Sequence, residues 1–269
     1  MAPSGPLRGP LGAISAPKLH LPWGHTDRAA SSARTPYFGI SSTIPGMNID
    51  NIKRLIDFDT PTVANGLELL KLRDPSLGYT GPDVRALMPE MGARVGIAVT
   101  ARMDTTTAGV DDPPSLFKDW IRLMRVAART GLPVFAVMES VGPRPRHTVT
   151  IGDGMGTMML LAGATAFISN GSIRDIDGVR GIGLPCWGAG VSPMHGKLRW
   201  LDVNSPVVID GMLVHPGDII HADVNGALMI PPGVADQVLE KANEVRRREA
   251  EMFAQWRSPN FDIDAYLAA

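Results

Sequence analysis

The stretch from Gly152 to Asp177 constrains the fold more than any other part of the sequence. It opens with glycines at alternate positions, Gly152, Gly154 and Gly156, and continues into an apolar run that stops at Gly163. Because glycine adopts a positive φ at little cost, Gly163 is a natural helix stop, and a helix is predicted to start near Gly154. The pattern therefore predicts a glycine turn, a helix, a strand and a charged loop.

The charged residues of this stretch allow two interpretations. Arg174 and Asp175 follow a predicted buried strand, Ala164 to Ser169. A helix N-terminus and an arginine both bind anions, while Asp153 and Asp175 offer the oxygen ligands that Mg²⁺ or Mn²⁺ prefers. One interpretation is a site for a small oxyacid held against a divalent cation. The other is a βαβ turn with a surface Arg–Asp pair, and the motif alone does not separate them.

Composition excludes several broad classes of protein. The net charge of the 269-residue chain is −1, which gives no general attraction to nucleic acid or to anionic membranes. The single cysteine, Cys186, cannot form an intrachain disulfide and fits a reducing compartment, so we expect a cytoplasmic protein. No apolar run approaches the ~20 residues of a membrane helix, and the start lacks the pattern of a secretory signal.

The chain divides into three segments that differ in composition and in predicted structure. Residues 1–46 are rich in Pro, Gly, Ser and Ala and predict an irregular arm, whereas residues 47–233 predict an α/β domain. Within that domain, Asp210-Gly211 and Asn225-Gly226 predict the turns of two hairpins. Residues 234–269 predict a polar helix and a tail, which we expect to pack on a neighbouring subunit.

The first half of the domain alternates helices and strands. Thr60-Pro61 predicts the N-cap and first turn of a helix that continues to Leu70. Buried strands are predicted at 92–102 and 133–138, with a helix between them that begins at Asp112-Pro113. Such alternation is typical of α/β folds.

Other catalytic chemistries find little support. No lysine lies in an apolar run beside the glycine stretch, which disfavours a Schiff-base mechanism. Cys186 has no histidine or aspartate near it in sequence, so a buried structural thiol is the preferred interpretation. No HExxH motif or paired His–Cys spacing is present, which argues against zinc.

Two segments, SNGSIRDIDGVRGIGLPCWGAGVSP and HPGDIIHADVNGALMIPP, strongly resemble the RraA-like family. The resemblance extends from about Ile49 to Met252, and its most specific element is a glycine followed roughly twenty residues later by Arg-Asp, here Gly152 and Arg174-Asp175. It implies an α/β fold, namely a layered β/β/α swivelling-domain sandwich with flanking helices. It also implies a homotrimer or homohexamer.

The resemblance further implies a role for each matching residue. Asp175 would be the protein ligand of Mg²⁺ or Mn²⁺, and Asp153 would hold a metal-bound water. The backbone N–H groups of Gly154 and Met155 would bind the substrate carboxylate. Arg174 would bind the 2-oxo oxygen and stabilise an enolate.

The activity implied by the resemblance is that of a class II, metal-dependent aldolase. It would cleave a 4-hydroxy-2-oxo acid to pyruvate and a 2-oxo acid or carbonyl product, with oxaloacetate decarboxylation as a side activity. An acidic residue of a neighbouring subunit, with Glu249 or Glu251 as candidates, would complete the site. One departure is Gly178, where the family often has an acidic residue, and it puts the identity of the substrate in doubt.

Two alternatives stay open. The namesake of the family is a non-catalytic protein that binds and inhibits ribonuclease E, and it has another residue where the aldolases have the Asp of Arg-Asp. The presence of Asp175 therefore favours an enzyme. The same scaffold could instead serve a different enolate or lyase reaction.

Overall fold

A computed structural model describes residues 48–107, 113–147 and 149–268. The predicted arm, residues 1–46, lies outside the described residues, and so does Asp112 at the predicted helix start. The helices are α1 (Ile49–Arg54), α2 (Thr60–Glu68), α3 (Phe117–Ala128), α4 (Asp153–Ala162), α5 (Ile176–Gly181), α6 (Ala235–Trp256) and α7 (Ile263–Ala268). The strands are β1 (Arg85–Ala86), β2 (Arg94–Asp104), β3 (Val134–Val141), β4 (Val149–Ile151), β5 (Ala164–Ser169), β6 (Ser172–Ile173), β7 (Cys186–Gly188), β8 (Gly190–Val191), β9 (Arg199–Val203), β10 (Val207–Ile209), β11 (Met212–Val214), β12 (Ile219–Asp223) and β13 (Gly226–Ile230).

A mixed sheet forms the centre of the domain, with strand order β1-β7-β5-β3-β2-β12-β13. Strands β2, β3, β5 and β7 run parallel to one another, while β12 pairs antiparallel with the first half of β2. Strand β9 pairs antiparallel with the second half of β2. Two smaller sheets accompany the main one: the β10–β11 hairpin and the parallel strands β4-β6-β8.

The two faces of the main sheet bury separate apolar clusters. Ile97 and Val99 of β2 face the helical side, where they belong to one cluster with Trp120 of α3. Ala98, between them, faces the β10–β11 hairpin and belongs to a second cluster that includes Phe135. This alternation follows from the two-residue period of a strand. The resulting order of hairpin, sheet and helices confirms the predicted β/β/α layering.

Helix α2 begins one residue away from the predicted cap. The prediction that Thr60 is the N-cap is wrong, because the Asp59 carboxylate accepts the backbone N–H of Thr62 at 2.7 Å and Thr60 is already helical. The Thr60 hydroxyl instead lies 3.0 Å from Nδ1 of His221. The Thr60 side chain, which the local sequence predicted to cap the helix, therefore contacts His221 instead.

Both predicted hairpins form, but only one turn has the predicted position. Asp210 and Gly211 have φ values of 47° and 87°, as a type I′ turn requires. In the second hairpin Asp223 pairs with Gly226, so the turn residues are Val224 and Asn225 rather than Asn225-Gly226. The cause is local, since the Asp223 carboxylate accepts the backbone N–H of Asn225 at 2.7 Å and fixes the turn one residue earlier.

Helix α6 contributes its first half to the domain core. Val238, Leu239 and Ala242 are buried on the helical side of the sheet, and α6 packs closely along α2. A Cβ atom at Gly66 of α2 would lie only 2.8 Å from the backbone N of Ala242, so the glycine permits this close approach. The packing of residues 234–269 on a neighbouring subunit stays a prediction. No helix among the described residues is long and apolar enough to cross a membrane.

One buried histidine ties α1 and α2 to the sheet. His221 on β12 is fully buried, with Nε2 3.0 Å from the backbone O of Leu55 and Nδ1 3.0 Å from the Thr60 hydroxyl. A carbonyl can only accept, so Nε2 carries the proton and Nδ1 accepts from Thr60. Burial lowers the pKa of His221 despite the hydrogen bond to Leu55 and the nearby Asp223 charge.

This lowered pKa predicts an acid-sensitive fold. Above a pH of about 6.5 His221 is neutral in both states, and below it the unfolded chain binds a proton that the folded chain resists. The free energy of unfolding should therefore fall as the pH drops through that value, by at most about 1.4 kcal/mol per pH unit for this one group. Urea unfolding of wild type and His221→Gln from about pH 5 to pH 8 measures the difference.

The expected result is a flatter pH dependence in His221→Gln, although the variant is less stable at the upper end. His147→Gln, at an exposed position, serves as the control and should keep the wild-type pH dependence. Parallel curves for wild type and His221→Gln would show that His221 does not cause the acid sensitivity.

Candidate active site

The site forms where the parallel strands β4 and β6 end. They are neighbours in the small sheet, with Ile151 opposite Ile173, and the backbone N–H of Arg174 donates to the carbonyl of Ile151 at 3.1 Å. Because parallel strands have their carboxyl ends at the same edge, the residues after each strand meet there. Gly152 and Asp153 follow β4, while Arg174 and Asp175 follow β6.

Helix α4 presents its N-terminus at this edge. It begins at Asp153 with Gly152 as N-cap and ends at Gly163, whose φ of 105° is left-handed. The prediction of a helix that starts near Gly154 and stops at Gly163 is confirmed. Gly152 has no side chain to cap the helix, so the first-turn N–H groups, including those of Gly154 and Met155, are available to an anion.

Asp175 adopts an unusual backbone conformation. Its φ of 54° and ψ of 41° lie in the left-handed region, where a non-glycine residue is strained. Asp175 is the N-cap of α5, yet its carboxylate makes no capping hydrogen bond and instead forms an ion pair with Arg174, with Oδ2 3.1 Å from Nε. Both side chains stay partly exposed. The strained backbone thus directs a carboxylate and a guanidinium to one place.

Two glycines make room for the carboxylates. A Cβ atom at Gly152 would lie 2.6 Å from Oδ2 of Asp175, and one at Gly178 would lie 2.7 Å from Oδ2 of Asp153. The distance at Gly178 explains why this chain has glycine where the family often has an acidic residue. In this chain the Asp153 carboxylate occupies the space beside residue 178, so Gly178 is a condition for the position of Asp153.

The five predicted site residues line one cavity of about 210 Å³. Its complete lining is Val149, Thr150, Ile151, Gly152, Asp153, Gly154, Met155, Arg174, Asp175, His195 and Leu198. A helix N-terminus and a guanidinium suit an oxyanion, while two carboxylates suit a cation. The cavity can therefore accept an anion and a cation side by side.

The donor set fits a weakly chelated divalent cation. Within the described residues, no three His, Cys, Asp or Glu side chains form a cluster that could cage a metal ion. Mg²⁺ commonly uses only one or two protein carboxylates and keeps several waters or substrate oxygens. Asp175 and Asp153, on a cavity with room for such ligands, fit this mode of binding.

The sequence analysis missed His195 and Leu198 as cavity residues. They lie in the loop between β8 and β9, and in sequence they are part of an ordinary polar segment, SPMHGKLRW. What brings them to the site is the parallel pairing of β8 with β6, a contact without a local sequence signal.

The Asp104 carboxylate anchors the far end of this loop. It accepts hydrogen bonds from the backbone and hydroxyl groups of Thr106 and Thr107, and Nη1 of Arg199 lies 3.4 Å from it. Burial alone raises the pKa of Asp104, but these hydrogen bonds outweigh burial and hold the pKa below its ordinary value. Asp104 is therefore a charged anchor at neutral pH.

Other candidate residues lie away from this cavity. Glu249 is 3.4 Å from the side-chain nitrogen of Asn65 and lines a separate cavity of about 610 Å³ between α2 and α6. Glu251 is exposed on α6. The contribution of either glutamate to a neighbouring subunit's site stays a prediction. Cys186 is buried, and burial raises the pKa of its thiol, in agreement with a structural role.

The layered fold is that of the α/β swivelling-domain proteins, and the candidate site lies at the carboxyl ends of strands β4 and β6. Sequence comparison assigns the family. Residues 60–229 match the RraA-like family profile, which is described as Aldolase/RraA. The match covers more than half of the chain, so the protein belongs to the RraA-like family.

Individual relatives are distant. "Uncharacterized protein MJ0644" of Methanocaldococcus jannaschii is 26% identical over 51% of this chain and 65% of its own length, which is less than two thirds of that protein. A Halalkalibacterium halodurans protein named "Putative 4-hydroxy-4-methyl-2-oxoglutarate aldolase" is 29% identical over 55% of this chain and 73% of its own.

A solved structure shares the fold. Streptomyces coelicolor RraAS2, described as an unusual member of the RNase ES inhibitor RraA protein family, aligns with a TM-score of 0.62 and 22% identity. The alignment covers 78% of this chain and 98% of the other. At this identity the likeness supports the fold alone.

The close contact of Gly152 with Asp175 can be tested by adding one methyl group. In Gly152→Ala the new Cβ would displace the Asp175 side chain, which can rotate, so the free energy of unfolding should change by less than about 1 kcal/mol. We expect Mn²⁺ affinity to fall about tenfold or more, as measured by titration calorimetry. Gly181→Ala is the matched control, since a Cβ there has no neighbour within 4 Å. Equal affinity in the two variants would contradict the need for this contact.

Proposed function

We propose that the protein is a divalent-metal-dependent lyase that cleaves a 4-hydroxy-2-oxo acid to pyruvate and a second carbonyl product. The observation that supports this proposal is the convergence of Asp175, Arg174 and the α4 N-terminus on one cavity. A 2-oxo acid carries a carboxylate next to a carbonyl. It therefore matches an anion-binding helix end placed beside a guanidinium and a cation-binding carboxylate.

The backbone of α4 would hold the substrate carboxylate. The N–H groups of Gly154 and Met155 belong to the first turn, where helix N–H groups lack intrahelical acceptors. A Cβ atom at Gly154 would meet no atom within 4 Å, so the space beside its backbone is open to a ligand. Carboxylate binding at this point would place the adjacent carbonyl toward Arg174.

Arg174 and Asp175 would act on the carbonyl. The Arg174 guanidinium would donate to the C2 oxygen and stabilise the negative charge that develops there. Asp175 would hold Mg²⁺ or Mn²⁺, which supplies a Lewis acid for the carboxylate and carbonyl oxygens when bound. The left-handed backbone of Asp175 sets the direction in which its side chain leaves the chain, toward Arg174.

The reaction breaks the C3–C4 bond. A base would take the C4 hydroxyl proton as the C4 carbonyl forms, and the electrons of the C3–C4 bond would pass through C3 to the C2 oxygen, which gives an enolate. Protonation of C3 then gives pyruvate, and a water held by Asp153 would carry that proton. Oxaloacetate would give the same enolate by loss of CO₂, which explains why decarboxylation is the expected side activity.

The relatives support this reading at a coarse level. The family description includes aldolases, and the H. halodurans relative carries an aldolase name. We also propose a homotrimer or homohexamer, in which an acidic residue of α6, Glu249 or Glu251, approaches a neighbouring site. The exposed second half of α6 is available for such packing.

Pyruvate release tests the proposed activity directly. Wild-type protein should release pyruvate from oxaloacetate and from 4-hydroxy-4-methyl-2-oxoglutarate with Mg²⁺ present, and excess EDTA should abolish the release, because the cation stabilises the enolate. A coupled lactate dehydrogenase assay measures the rate. Folded protein that binds Mg²⁺ but releases no pyruvate from either substrate would overturn the proposal and favour a binding function, as in the namesake of the family.

A carboxylate exchange tests the assigned ligand. Asp175→Asn keeps the shape of the side chain but removes the charge that binds the cation, so kcat should fall by more than about 100-fold. Asp177→Asn is the matched control, because this carboxylate is almost fully exposed and pairs with Arg180 at 2.8 Å, outside the cavity. Wild-type turnover in Asp175→Asn would show that the cation has another ligand.

A further inference from the structure

The β4-β6-β8 sheet places a third segment of the chain at the site. Strand β8 runs parallel to β6, with Val191 opposite Ile173, and the backbone N–H of Ser192 donates to the Ile173 carbonyl at 3.0 Å. Its carboxyl end therefore lies at the same edge as those of β4 and β6. The loop that follows, residues 192–198, brings His195 and Leu198 to the cavity.

This loop is also anchored on the C-terminal side of His195. Beyond it, Arg199 pairs with Asp104 across β9 and β2, and the guanidinium lies 3.4 Å from the Asp104 carboxylate. Next to it, Gly196 has a φ of 60°, and a Cβ there would lie 2.2 Å from the carbonyl oxygen of Thr105. Only glycine fits such an approach, so the backbone beside His195 has a defined place.

One nitrogen of the His195 ring already makes a hydrogen bond. Nδ1 is hydrogen-bonded to the backbone O of Gly196, and a carbonyl oxygen can only accept, so Nδ1 carries a proton. In neutral imidazole Nε2 is then the acceptor. Among the described residues, Nε2 has no hydrogen-bond partner. His195 lines the cavity, and with Nδ1 bonded to Gly196 the ring nitrogen left to act as an acceptor is Nε2.

The position of His195 relative to the other groups suggests which part of the substrate it meets. Under the proposed function the C1 carboxylate lies at the α4 N-terminus and the C2 carbonyl lies at Arg174. Asp153 is the first residue of the same helix, so it lies at the carboxylate end. The wall formed by His195 and Leu198 is left for the C4 half of the substrate.

We propose that His195 is a catalytic base, whose Nε2 takes the proton from the C4 hydroxyl as the C3–C4 bond breaks. The inference rests on the proposed lyase function. The proton moves from the C4 oxygen to Nε2, the O–H electrons form the C4 carbonyl, and the C3–C4 electrons form the enolate of pyruvate. The second product leaves, and the imidazolium returns its proton to solvent.

Two substrates distinguish the role of His195 from the roles of the other site residues. Aldol cleavage requires removal of the C4 hydroxyl proton, whereas decarboxylation of oxaloacetate does not. In His195→Gln, kcat for cleavage of 4-hydroxy-4-methyl-2-oxoglutarate should fall by about 100-fold or more, the usual contribution of a positioned base. The kcat for oxaloacetate should stay within about threefold of wild type, because no base acts at C4 in that reaction.

Chemical rescue adds a readout that a structural role would not change. Imidazole added to His195→Ala should restore part of the cleavage rate and leave oxaloacetate decarboxylation unaltered. His215→Gln, at an exposed histidine outside the cavity, is the matched control and should retain both wild-type rates.

The outcomes distinguish this inference from the function on which it rests. Wild-type protein without either activity would overturn the lyase function itself. Active wild type together with unchanged cleavage in His195→Gln, or equal losses on both substrates without imidazole rescue, would overturn the role of His195 alone.

Discussion

The parallel pairing of β4 with β6 is the contact on which the candidate site depends. One backbone hydrogen bond, from Arg174 N–H to the Ile151 carbonyl, sets Gly152-Asp153 beside Arg174-Asp175, although more than twenty residues separate them. Helix α4 and strand β5 fill the intervening chain, and both pack into the apolar cluster on the helical side of the sheet. The positions of Asp153, Arg174 and Asp175 are thus fixed largely by burial of the apolar residues between Asp153 and Arg174.

Close packing at the site depends on conformations that few residues tolerate. Asp175 occupies the left-handed region as a non-glycine residue, which costs of order 1–3 kcal/mol unless the surroundings compensate. The compensation is visible in its backbone carbonyl, which accepts Val179 N–H at 2.8 Å and so starts α5. Gly152 and Gly178 lack the Cβ atoms that would push the two carboxylates aside. Strain and close packing at these positions agree with selection for a site rather than for stability alone.

The sequence predicted those features that depend on neighbours along the chain. Glycine at position 163 stops α4, and Asp210-Gly211 forms a type I′ turn, because each residue acts through its own φ. The N-cap of α2 was misassigned because the Thr60 hydroxyl is used by His221, far away in sequence. His195 carried no signal for a related reason: only the β8–β6 pairing places it at the cavity. A local sequence pattern does not determine which strands pair when they are far apart along the chain.

The charges of the cavity explain why a cation belongs to the proposed chemistry. Asp153 and Asp175 present two carboxylates, whereas the described cationic groups of the lining are Arg174 and the partial positive charge of the α4 N-terminus. A dicarboxylate substrate would add like charge to this balance and would be repelled at short range. A divalent cation bound at Asp175 would offset the charge of the two carboxylates and so favour an anionic substrate. Under the proposed function the cation would therefore serve binding of the anionic substrate as well as stabilisation of the enolate, and Asp175 would be the ligand for both roles.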